Sequence, residues 1–508
     1  MAEKIRLRYA PSPTGFFHIG GLRSALFCYL YAMHYKRKGH DSEYIFRIED
    51  TDIDRHNEDG IKAQTIGQEW VGIHPKYSDP KWWSVEVEQQ TDKNGHKLSY
   101  RQTEKIEEYA KIANKLVEMN LAYYDFHTAE ELDQMREEKE KNKETPRFHL
   151  SITEIAAHYE WAKQNNRENY VIRLKMNDEQ VFKWKDLVRG EMSVPSSSLT
   201  DPVLIRSNKV PMYNFAVVVD DYMMEISHVF RGEEHLSNTP YQIAIREAIE
   251  PILLEMTYNK VAEPVYGHLP IVIGSDGKKL SKRDKTLRQF IVGEKGEDYM
   301  SLGYYPDAIR NFVALLGWSP ADNKEILSMN ELIERFDGSR INKAPAFFDI
   351  KKMAWISGEY FKKMSDEDFL KFAKPFVKVN LDFTKFADLV ILTFKNYITY
   401  ADELNQLITT NFIDKDYSIL EEVLKNNEIT TEEFNLCIQT FKDVLGDYCE
   451  ITVDNTNEII TKTKEKSGLK GKKLFIPIRF LAIAKEHGPE MNKILPIVGK
   501  TNLLNIKI

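Results

Sequence analysis

Residues 10 to 15 read Ala-Pro-Ser-Pro-Thr-Gly, a segment that can form neither an α-helix nor a central β-strand. The residues before it, Ile5 to Tyr9, alternate short apolar and basic side chains, which is typical of a strand. Apolar residues then recur with helical spacing from Leu22 to Met33, and Tyr44 to Ile48 is predicted to be a second strand. This order of strand, loop, helix and strand indicates an α/β fold built on a parallel sheet.

Polar segments follow both strands. The loop at residues 10–15 comes after the first, and Glu49-Asp50-Thr51-Asp52 comes directly after the second. In open parallel sheets, ligands bind at the carboxyl ends of the strands. We therefore expect the functional site to be formed where these two segments meet.

After about residue 100 the simple alternation of strand and helix is interrupted by an insertion. Helices are predicted at Lys105–Met119 and Ala129–Glu144, and a strand-like region follows from Tyr170 to Val194. Strands that complete the sheet are then predicted at Val203–Arg206, Phe215–Val219, Met224–Phe230 and Leu269–Ile273, with a helix at Thr239–Ile249. Beyond Asp307 the pattern is almost wholly helical.

Composition excludes several classes of protein. A chain of 508 residues is too long for one hydrophobic core, so three or four domains are expected. Three cysteines without a C-x-x-C pair predict neither a disulfide scaffold nor a structural zinc site. No stretch approaches the roughly 18 apolar residues of a membrane span, and no leader is recognisable, so we expect a cytoplasmic protein without membrane contact.

Two short segments, about 260 residues apart, carry the chemistry. His18, Gly20 and Gly21 lie at a predicted helix N-terminus, where unpaired amides and the helix dipole favour phosphate. The second segment is Lys278-Lys279-Leu280-Ser281-Lys282-Arg283, whose ammonium groups can stabilise charge that builds on phosphate oxygens. Alone, each is an ordinary loop histidine or a solvated basic loop. Together they indicate a site where a nucleotide phosphate is attacked.

With these segments the chain resembles the class I aminoacyl-tRNA synthetases, and within them the bacterial-type glutamyl-tRNA synthetases, over essentially its whole length. The motifs that carry the resemblance are Arg8–Gly15, Phe46–Asp52, Tyr100–Thr103, Asn214–Asp221, His228–His235 and Lys279–Arg283 in the first half, and Gly468–Leu474 and His487–Glu490 near the end. One position departs from the broad class motif, because Gly21 stands where that motif has a second histidine.

The resemblance implies a Rossmann-type catalytic domain formed by residues 1–100 and 200–285. An α+β connective insertion at 101–199 would bind the tRNA acceptor end. A stem-contact helical domain at 286–360 and a helical anticodon-binding domain at 361–508 would make the C-terminal half all-helical. The implied substrates are L-glutamate, ATP with Mg2+ and tRNA(Glu), handled by a monomer without zinc.

The resemblance also implies site residues. Those expected at glutamate are Arg8, Ala10, Ser12, Glu49, Tyr213, Val217 and Arg231, and those expected at ATP are His18, Gly20, Gly21, Glu234, Val272, Lys279 and Lys282, with His18, Lys279 and Lys282 as catalytic groups. An arginine fork donates two parallel hydrogen bonds to a carboxylate. In glutamine an amide NH2 would face those donors instead of an acceptor, at a cost of about 1–3 kcal/mol.

Arg55 is a further anion-binding candidate. The alternative is that it forms a surface salt bridge with Asp52.

The net charge of −8, taken over the whole chain, argues against a nucleic-acid partner. The distribution of charge along the chain, however, leaves room for such a partner. Residues 418–460 hold ten acidic and two basic side chains, whereas residues 461–508 hold eleven basic and three acidic ones. A concentrated basic segment can contact phosphates, because screening confines the field to about 10 Å. Within it, Phe475 and Phe480 are predicted to be core residues rather than platforms for base stacking.

Four alternatives are weighed against this interpretation. A truncated relative that glutamylates a tRNA base would lack the helical C-terminal region, and a glutaminyl-tRNA synthetase would have a β-barrel anticodon part. A nonenzymatic tRNA-binding module would not need an intact active site, and a small-molecule nucleotidyltransferase would share only the His-x-Gly phosphate site. The helical pattern of residues 361–508 favours glutamyl-tRNA synthetase. Charging of tRNA(Gln) as well stays open.

Overall fold

The structure, a computed structural model, describes residues 4–52, 57–91, 95–280, 290–293 and 298–508. The predicted site residues Arg55 and Lys282 lie outside these ranges. The chain divides into two compact units. The first comprises residues 1–299 and 309–350, and the second comprises residues 300–308 and 351–508.

The strands are Ile5–Tyr9 (β1), Phe17–His18 (β2), Ser42–Phe46 (β3), Ala122–Asp125 (β4), Val171–Leu174 (β5), Val181–Asp186 (β6), Gly190–Pro195 (β7), Val203–Ile205 (β8), His228–Gly232 (β9), Val265–Leu269 (β10), Val272–Ile273 (β11), Phe290–Val292 (β12) and Ala346–Phe347 (β13). The first ten α-helices are Ile19–Arg37 (α1), Glu58–Trp70 (α2), Ile106–Glu118 (α3), Ala129–Lys141 (α4), Ile152–Gln164 (α5), Tyr213–Met223 (α6), Thr239–Thr257 (α7), Pro306–Ala314 (α8), Met329–Arg335 (α9) and Ile350–Lys363 (α10).

Four parallel strands form the central sheet, in the order β10-β9-β1-β3. Ile5 lies opposite Ser42, and Leu7 lies opposite His228. All five residues of β1 and of β3 are buried, as expected for a parallel sheet covered on both faces. The predicted α/β fold with a parallel sheet is confirmed.

The insertion between β3 and β9 contains antiparallel strands. The strand predicted at Val203–Arg206 forms (β8), but it pairs with β5 instead of completing the central sheet, so that part of the prediction is wrong. Strands β4, β5 and β8 form a three-stranded antiparallel sheet, and β6 and β7 form a hairpin. Along β6 buried and exposed residues alternate, so Phe182, Trp184 and Asp186 all point inward. The inward position of an aspartate at the end of this strand places a carboxylate beside the central sheet.

The prediction of a strand at Phe215–Val219 is wrong, because these residues lie within helix α6. The β-branched valines favour a strand by intrinsic preference, but tertiary packing overrides it. Residues 215–222 are all buried, so this helix has no polar face from which its period could be read. The strand predicted at Met224–Phe230 begins only at His228, after a turn in which Glu225 has a φ of +54°.

Backbone contacts hold the proline-containing loop against the neighbouring elements. The carbonyl of Pro11 accepts a hydrogen bond from the amide of Glu49 (3.0 Å), and the carbonyl of Pro13 accepts one from Asn57 (3.1 Å). Helix α2 approaches so closely that a Cβ at Gly60 would lie 3.0 Å from the oxygen of Pro13. The loop is therefore fixed by the ends of β3 and α2.

Behind this loop lies a buried cluster of charged side chains, the ion network, made of Arg8, Arg47, Glu49, Asp220 and Asp221. Arg47 is fully buried and contacts Glu49 and Asp221, each at 2.8 Å. Its Nε lies 3.6 Å from Asp220. Arg8 donates to Asp221 through Nε (3.0 Å) and Nη2 (3.1 Å). The network joins β1, the end of β3 and α6.

The second unit is helical, which confirms the prediction for the C-terminal half. Besides most of α10, its helices are Asp366–Ala373 (α11), Ala387–Thr393 (α12), Glu403–Ile408 (α13), Leu420–Asn427 (α14), Thr431–Gly446 (α15), Thr456–Ser467 (α16), Lys472–Ile483 (α17), Met491–Val498 (α18) and Lys500–Asn505 (α19). Phe480 is fully buried, as predicted, but Phe475 is 43% exposed. On α17 Phe475 lies beside the buried Leu474 on a different helical face, so its prediction as a core residue is wrong. Within the part of the chain that the structure describes, none of the helices combines the length and the hydropathy of a membrane-spanning segment.

Replacing Arg47 with Met is expected to lower the free energy of unfolding by about 3–5 kcal/mol, because buried carboxylates lose their partner. Arg136→Met serves as the matched control, since Arg136 forms an exposed pair with Glu140 on one helix. That change should cost no more than about 0.5 kcal/mol. Urea unfolding followed by tryptophan fluorescence measures both. Equal losses in the two variants would contradict the importance of the network.

Candidate active site

A cavity of about 650 Å³ opens at the carboxyl ends of the four parallel strands. Twelve of the residues predicted from the sequence line it: Arg8, Ala10, Ser12, His18, Gly20, Gly21, Glu49, Tyr213, Arg231, Glu234, Val272 and Lys279. They come from segments up to 271 positions apart in the sequence, from Arg8 to Lys279. The sheet topology thus brings the two predicted motifs into one pocket.

His18 is the N-cap of α1, and its Nδ1 accepts a hydrogen bond from the amide of Gly21 (3.2 Å). An imidazole nitrogen that accepts carries no proton, so the ring hydrogen of the neutral form resides on Nε2. Nε2 can then donate to an oxyanion. The capping contact therefore sets the tautomer of this histidine at a helix end suited to phosphate.

At position 21 there is no space for a side chain, which accounts for the glycine. A Cβ there would lie 2.7 Å from the hydroxyl oxygen of Tyr9 and 3.2 Å from the ring of Phe17. Tyr9 is held in place because its hydroxyl donates to Gln64 (3.0 Å). A histidine at this position would clash with that pair, which explains the departure from the class I motif.

The carboxylates of the ion network differ in their protonation behaviour. Burial raises the pKa of Glu49 above its ordinary value, more than Arg47 and Arg8 lower it. Burial acts in the same direction on Asp221, but Arg8 and Arg47 outweigh it and its pKa is lowered. Glu49, which lines the cavity, is thus a carboxylate whose ionised form gains from a further cationic partner.

Arg231, on β9, is held by three acceptors. Its Nε donates to Nε2 of His268 (3.0 Å), Nη1 donates to Gln242 (2.8 Å) and Nη2 donates to Thr239 (3.0 Å). A guanidinium has five N–H groups, so one remains on each terminal nitrogen. The two remaining N–H groups can donate to the oxygens of a carboxylate.

At the end of the cavity where the sequence predicts ATP to bind, Nζ of Lys279 lies 3.4 Å from a carboxylate oxygen of Glu234. Burial opposes ionisation of Glu234, but a hydrogen bond from its own backbone amide and the charge of Lys279 outweigh it, so its pKa is lowered. The carboxylate of Glu234 packs directly against Gly232, so a Cβ at that position would lie 2.3 Å from a carboxylate oxygen and would displace the Glu234 side chain. The ion pair of Lys279 and Glu234 thus places a positive and a negative charge side by side in one wall of the pocket.

Three residues predicted from the sequence are not among those that line the cavity. Val217 is 1% exposed and packs in the hydrophobic core on α6 rather than lining the cavity. Lys282 lies outside the described residues, as does Arg55.

Sequence reasoning missed several residues of the site. Arg23 and His235 line the cavity, whereas Arg47, Asp221 and His268 support it from behind. His235 and Asp221 lie within the motifs that carried the resemblance, so the signal was present but not interpreted. Arg23 and His268 carry no such signal, since only the tertiary fold shows what they contact.

Within the described residues, one group has the composition of a metal site: Asp125, His127 and His158 in the insertion. Its ligand atoms are already engaged. Nε2 of His158 accepts from the amide of Phe126 (2.9 Å), and Asp125 contacts Nδ1 of His127 (2.6 Å) and Nε of Arg173 (2.6 Å). The polar atoms of this cluster therefore hydrogen-bond within the protein. The rings of His127 and His158 stack with their centroids 4.3 Å apart.

Comparison with known families gives two matches. Residues 4–355 match the model described as tRNA synthetases class I (E and Q), catalytic domain, and residues 367–505 match an anticodon binding domain. A glutamate–tRNA ligase of Malacoplasma penetrans is 42% identical, over 98% of this chain and 96% of its own. One of Mycoplasma genitalium is 39% identical, over 99% and 98%.

Solved structures agree with these matches. The crystal structure of a glutamate tRNA ligase from Elizabethkingia meningosepticum, in complex with its amino acid, superposes with a TM-score of 0.81. It is 30% identical and covers 99% of this chain and 98% of its own. A glutamate–tRNA synthetase from Elizabethkingia anophelis gives a TM-score of 0.79 at the same identity.

His235 provides a prediction on pH. Burial, assisted by the charge of Arg231, lowers its pKa to about 4, whereas an unfolded histidine titrates near 6.5. The unfolded chain therefore binds a proton that the native state does not as the pH falls from about 6.5 to about 4, and the free energy of unfolding decreases in this window. His235→Asn is expected to flatten that dependence. Urea unfolding at a series of pH values measures it, and equal slopes in the two proteins would contradict the assignment.

Proposed function

The chain belongs to the class I tRNA synthetase family of glutamate and glutamine enzymes, and we propose that it is a glutamate–tRNA ligase. The observation that carries the proposal is the single cavity that joins two arginines and a carboxylate at one end to a helix N-terminus and a lysine at the other. This combination suits an acidic amino acid beside a nucleotide. ATP drives the reaction in this class.

The glutamate end is assigned to Arg8, Ser12, Glu49, Tyr213 and Arg231, with Ala10 in the same wall. Glu49 would hold the ammonium group, since its ionised form gains from a cation in that buried setting. Arg231 would bind a carboxylate through its two remaining donors. Arg8 would bind the other, because Asp221 engages only its Nε and Nη2. Val217 would contribute by supporting α6 from the core.

The ATP end is assigned to His18, Gly20, Gly21, Glu234, Val272 and Lys279, together with Lys282. The Nε2 hydrogen of His18 would donate to a phosphate oxygen. The unpaired amides at the start of α1 would add to this. Mg2+ would arrive on the nucleotide, because the phosphates supply most of the ligands that it prefers.

The reaction would proceed in two steps within one site. An oxygen of the glutamate α-carboxylate attacks the α-phosphorus of ATP, and the bond to the bridging oxygen breaks, which releases pyrophosphate and leaves glutamyl-adenylate. A terminal ribose hydroxyl of tRNA(Glu) then attacks the activated carbonyl, loses its proton and releases AMP. No enzyme nucleophile is required, so the residues act by positioning and by stabilising phosphate charge.

For the tRNA we assign residues 101–199 to the acceptor end, 286–360 to the stem and 361–508 to the anticodon. The helical structure of the second unit and the match at residues 367–505 support the last of these. They also separate this chain from a truncated relative and from proteins whose anticodon part is a β-barrel. The basic segment at 461–508 would supply phosphate contacts.

Aminoacylation with purified tRNA(Glu), ATP and radiolabelled glutamate tests the function. We expect glutamate to be attached and glutamine, offered in its place, to be rejected. Parallel reactions with tRNA(Gln) determine whether that tRNA is a second substrate. Absence of glutamate charging with an intact tRNA(Glu), under conditions where a related ligase is active, would refute the proposal.

Replacing Arg231 with Ala is expected to raise the KM for glutamate by about a hundredfold or more, because the carboxylate loses both donors. ATP affinity should change less than about twofold, since Arg231 is assigned to the opposite end of the cavity. Isothermal titration calorimetry with each substrate separates these effects. Normal glutamate affinity in the variant would rule out the assignment.

Replacing Lys279 with Ala is expected to lower kcat in ATP–pyrophosphate exchange by about tenfold or more, with little change in the KM for glutamate. Lys278→Ala is the matched control, because the neighbouring lysine is exposed and does not line the cavity. The control should stay within about twofold of the parent. An equal loss in both variants would point to general charge rather than to this ammonium group.

A further inference from the structure

We propose that Asp186 and His268 are positioning residues for the amino-acid substrate and act through Arg231. Neither touches the cavity, and nothing in the sequence motifs points to them. The identity of the substrate rests on the proposed function, but the arrangement itself does not. The three side chains form a continuous relay from the hairpin of the insertion to the guanidinium.

The contacts of the relay are short and buried. Nδ1 of His268 lies 2.5 Å from Oδ2 of Asp186, and its Nε2 accepts from Nε of Arg231 at 3.0 Å. His268 is 0% exposed, Asp186 is 1% exposed and Arg231 is 7% exposed. In so dry a setting, each donor must face an acceptor, because an unpaired buried group is costly.

The relay works with only one tautomer of His268. Because Nε2 accepts from Nε of Arg231, it carries no hydrogen, so the ring is neutral with its single hydrogen on Nδ1. Burial, which lowers the pKa of the imidazole, acts in the same direction. With that hydrogen on Nδ1, the ring donates to Asp186 and offers Nε2 as an acceptor to Arg231. With the hydrogen on Nε2, this N–H would oppose Nε–H of Arg231. The other group near Nε2 is the hydroxyl of Thr239 at 3.2 Å, which already accepts from Nη2 of Arg231.

Asp186 selects that tautomer because it is held ionised and oriented. Its Oδ1 accepts from the amides of Val188 and Arg189, both at 2.9 Å, and from the amide of His268 at 3.2 Å. Burial opposes ionisation, but the hydrogen bonds from His268 and Arg189 outweigh it and lower the pKa of Asp186. Oδ2 is left to face the imidazole as an acceptor.

The hairpin that carries Asp186 is anchored to the sheet beside His268. The amide of Leu187 donates to the carbonyl of Tyr266 on β10 at 2.8 Å. Asp186 is on β6, inside the insertion, whereas His268 and Arg231 are on β10 and β9 of the central sheet. The insertion thus contributes a residue that orients the substrate arginine, besides any contact with nucleic acid.

The substitution Asp186→Asn tests the relay without changing shape. The three backbone amides that donate to Oδ1 would keep the asparagine oxygen at that place. The NH2 group would then occupy the position of Oδ2 and donate to Nδ1 of His268. The histidine hydrogen would move to Nε2, where it opposes Arg231.

We expect D186N to raise the KM for glutamate by about tenfold or more, with kcat and the KM for ATP within about threefold of the parent. In the double variant D186N/H268Q, an amide oxygen replaces Nε2 as the acceptor, so much of the loss in KM should be recovered. H228Q is the control, since His228 is a buried histidine on the neighbouring strand that contacts Ser227 and Tyr31 instead of an arginine.

A spectroscopic measurement separates positioning from simple stabilisation. Long-range 15N–1H correlation spectra of histidine-labelled protein, assigned through H268Q, should show the Nδ1–H form of His268 in the parent and the Nε2–H form in D186N. Equal losses in kcat and in both KM values, or an unchanged tautomer in D186N, would overturn the relay. A parent protein with the Nδ1–H form that fails to charge glutamate would instead refute the proposed function alone.

Discussion

The ion network around Arg47 is the interaction on which the rest of the site depends. It places two arginines and three carboxylates out of water, where each charge would be costly without its partner. Asp221 on α6 is paired with both Arg8 on β1 and Arg47 after β3, so this carboxylate has both partners only when these three elements are assembled. The contacts that join these elements therefore also position Arg8 and Glu49 at the pocket.

The network also decides what the cavity can bind. Arg8 and Glu49 each have one side in the network and one side in the pocket, so their orientation is set before any ligand arrives. The same logic applies to Arg231, whose three acceptors leave two donors for a ligand. Preorganised charges of this kind lose little freedom on binding, which favours a zwitterion with an added carboxylate over a neutral analogue.

The sequence was sufficient to predict the α/β fold, the insertion and the helical C-terminal half, because strand and loop signals such as the Pro-Ser-Pro segment act locally. It failed at α6, where Val217 to Val219 favour a strand and burial on all sides hides the helical period. It also failed for Phe475, since the same apolar pattern fits a buried and an exposed position at the edge of a helix. Local preference does not contain the tertiary contacts that decide such cases.

The residues of the site also divide into those that local sequence motifs identify and those that only tertiary contacts identify. Many residues that would touch a ligand lie within short motifs, whereas His268, which orients Arg231, lies outside them. It is 37 positions from Arg231 and 82 positions from Asp186. Its function follows from counting donors and acceptors in a buried space. Arg231 has five donors and His268 one ring hydrogen, so Asp186, in a different part of the chain, determines which nitrogen of His268 accepts from Arg231. A residue of the insertion thereby becomes part of the amino-acid pocket without facing it.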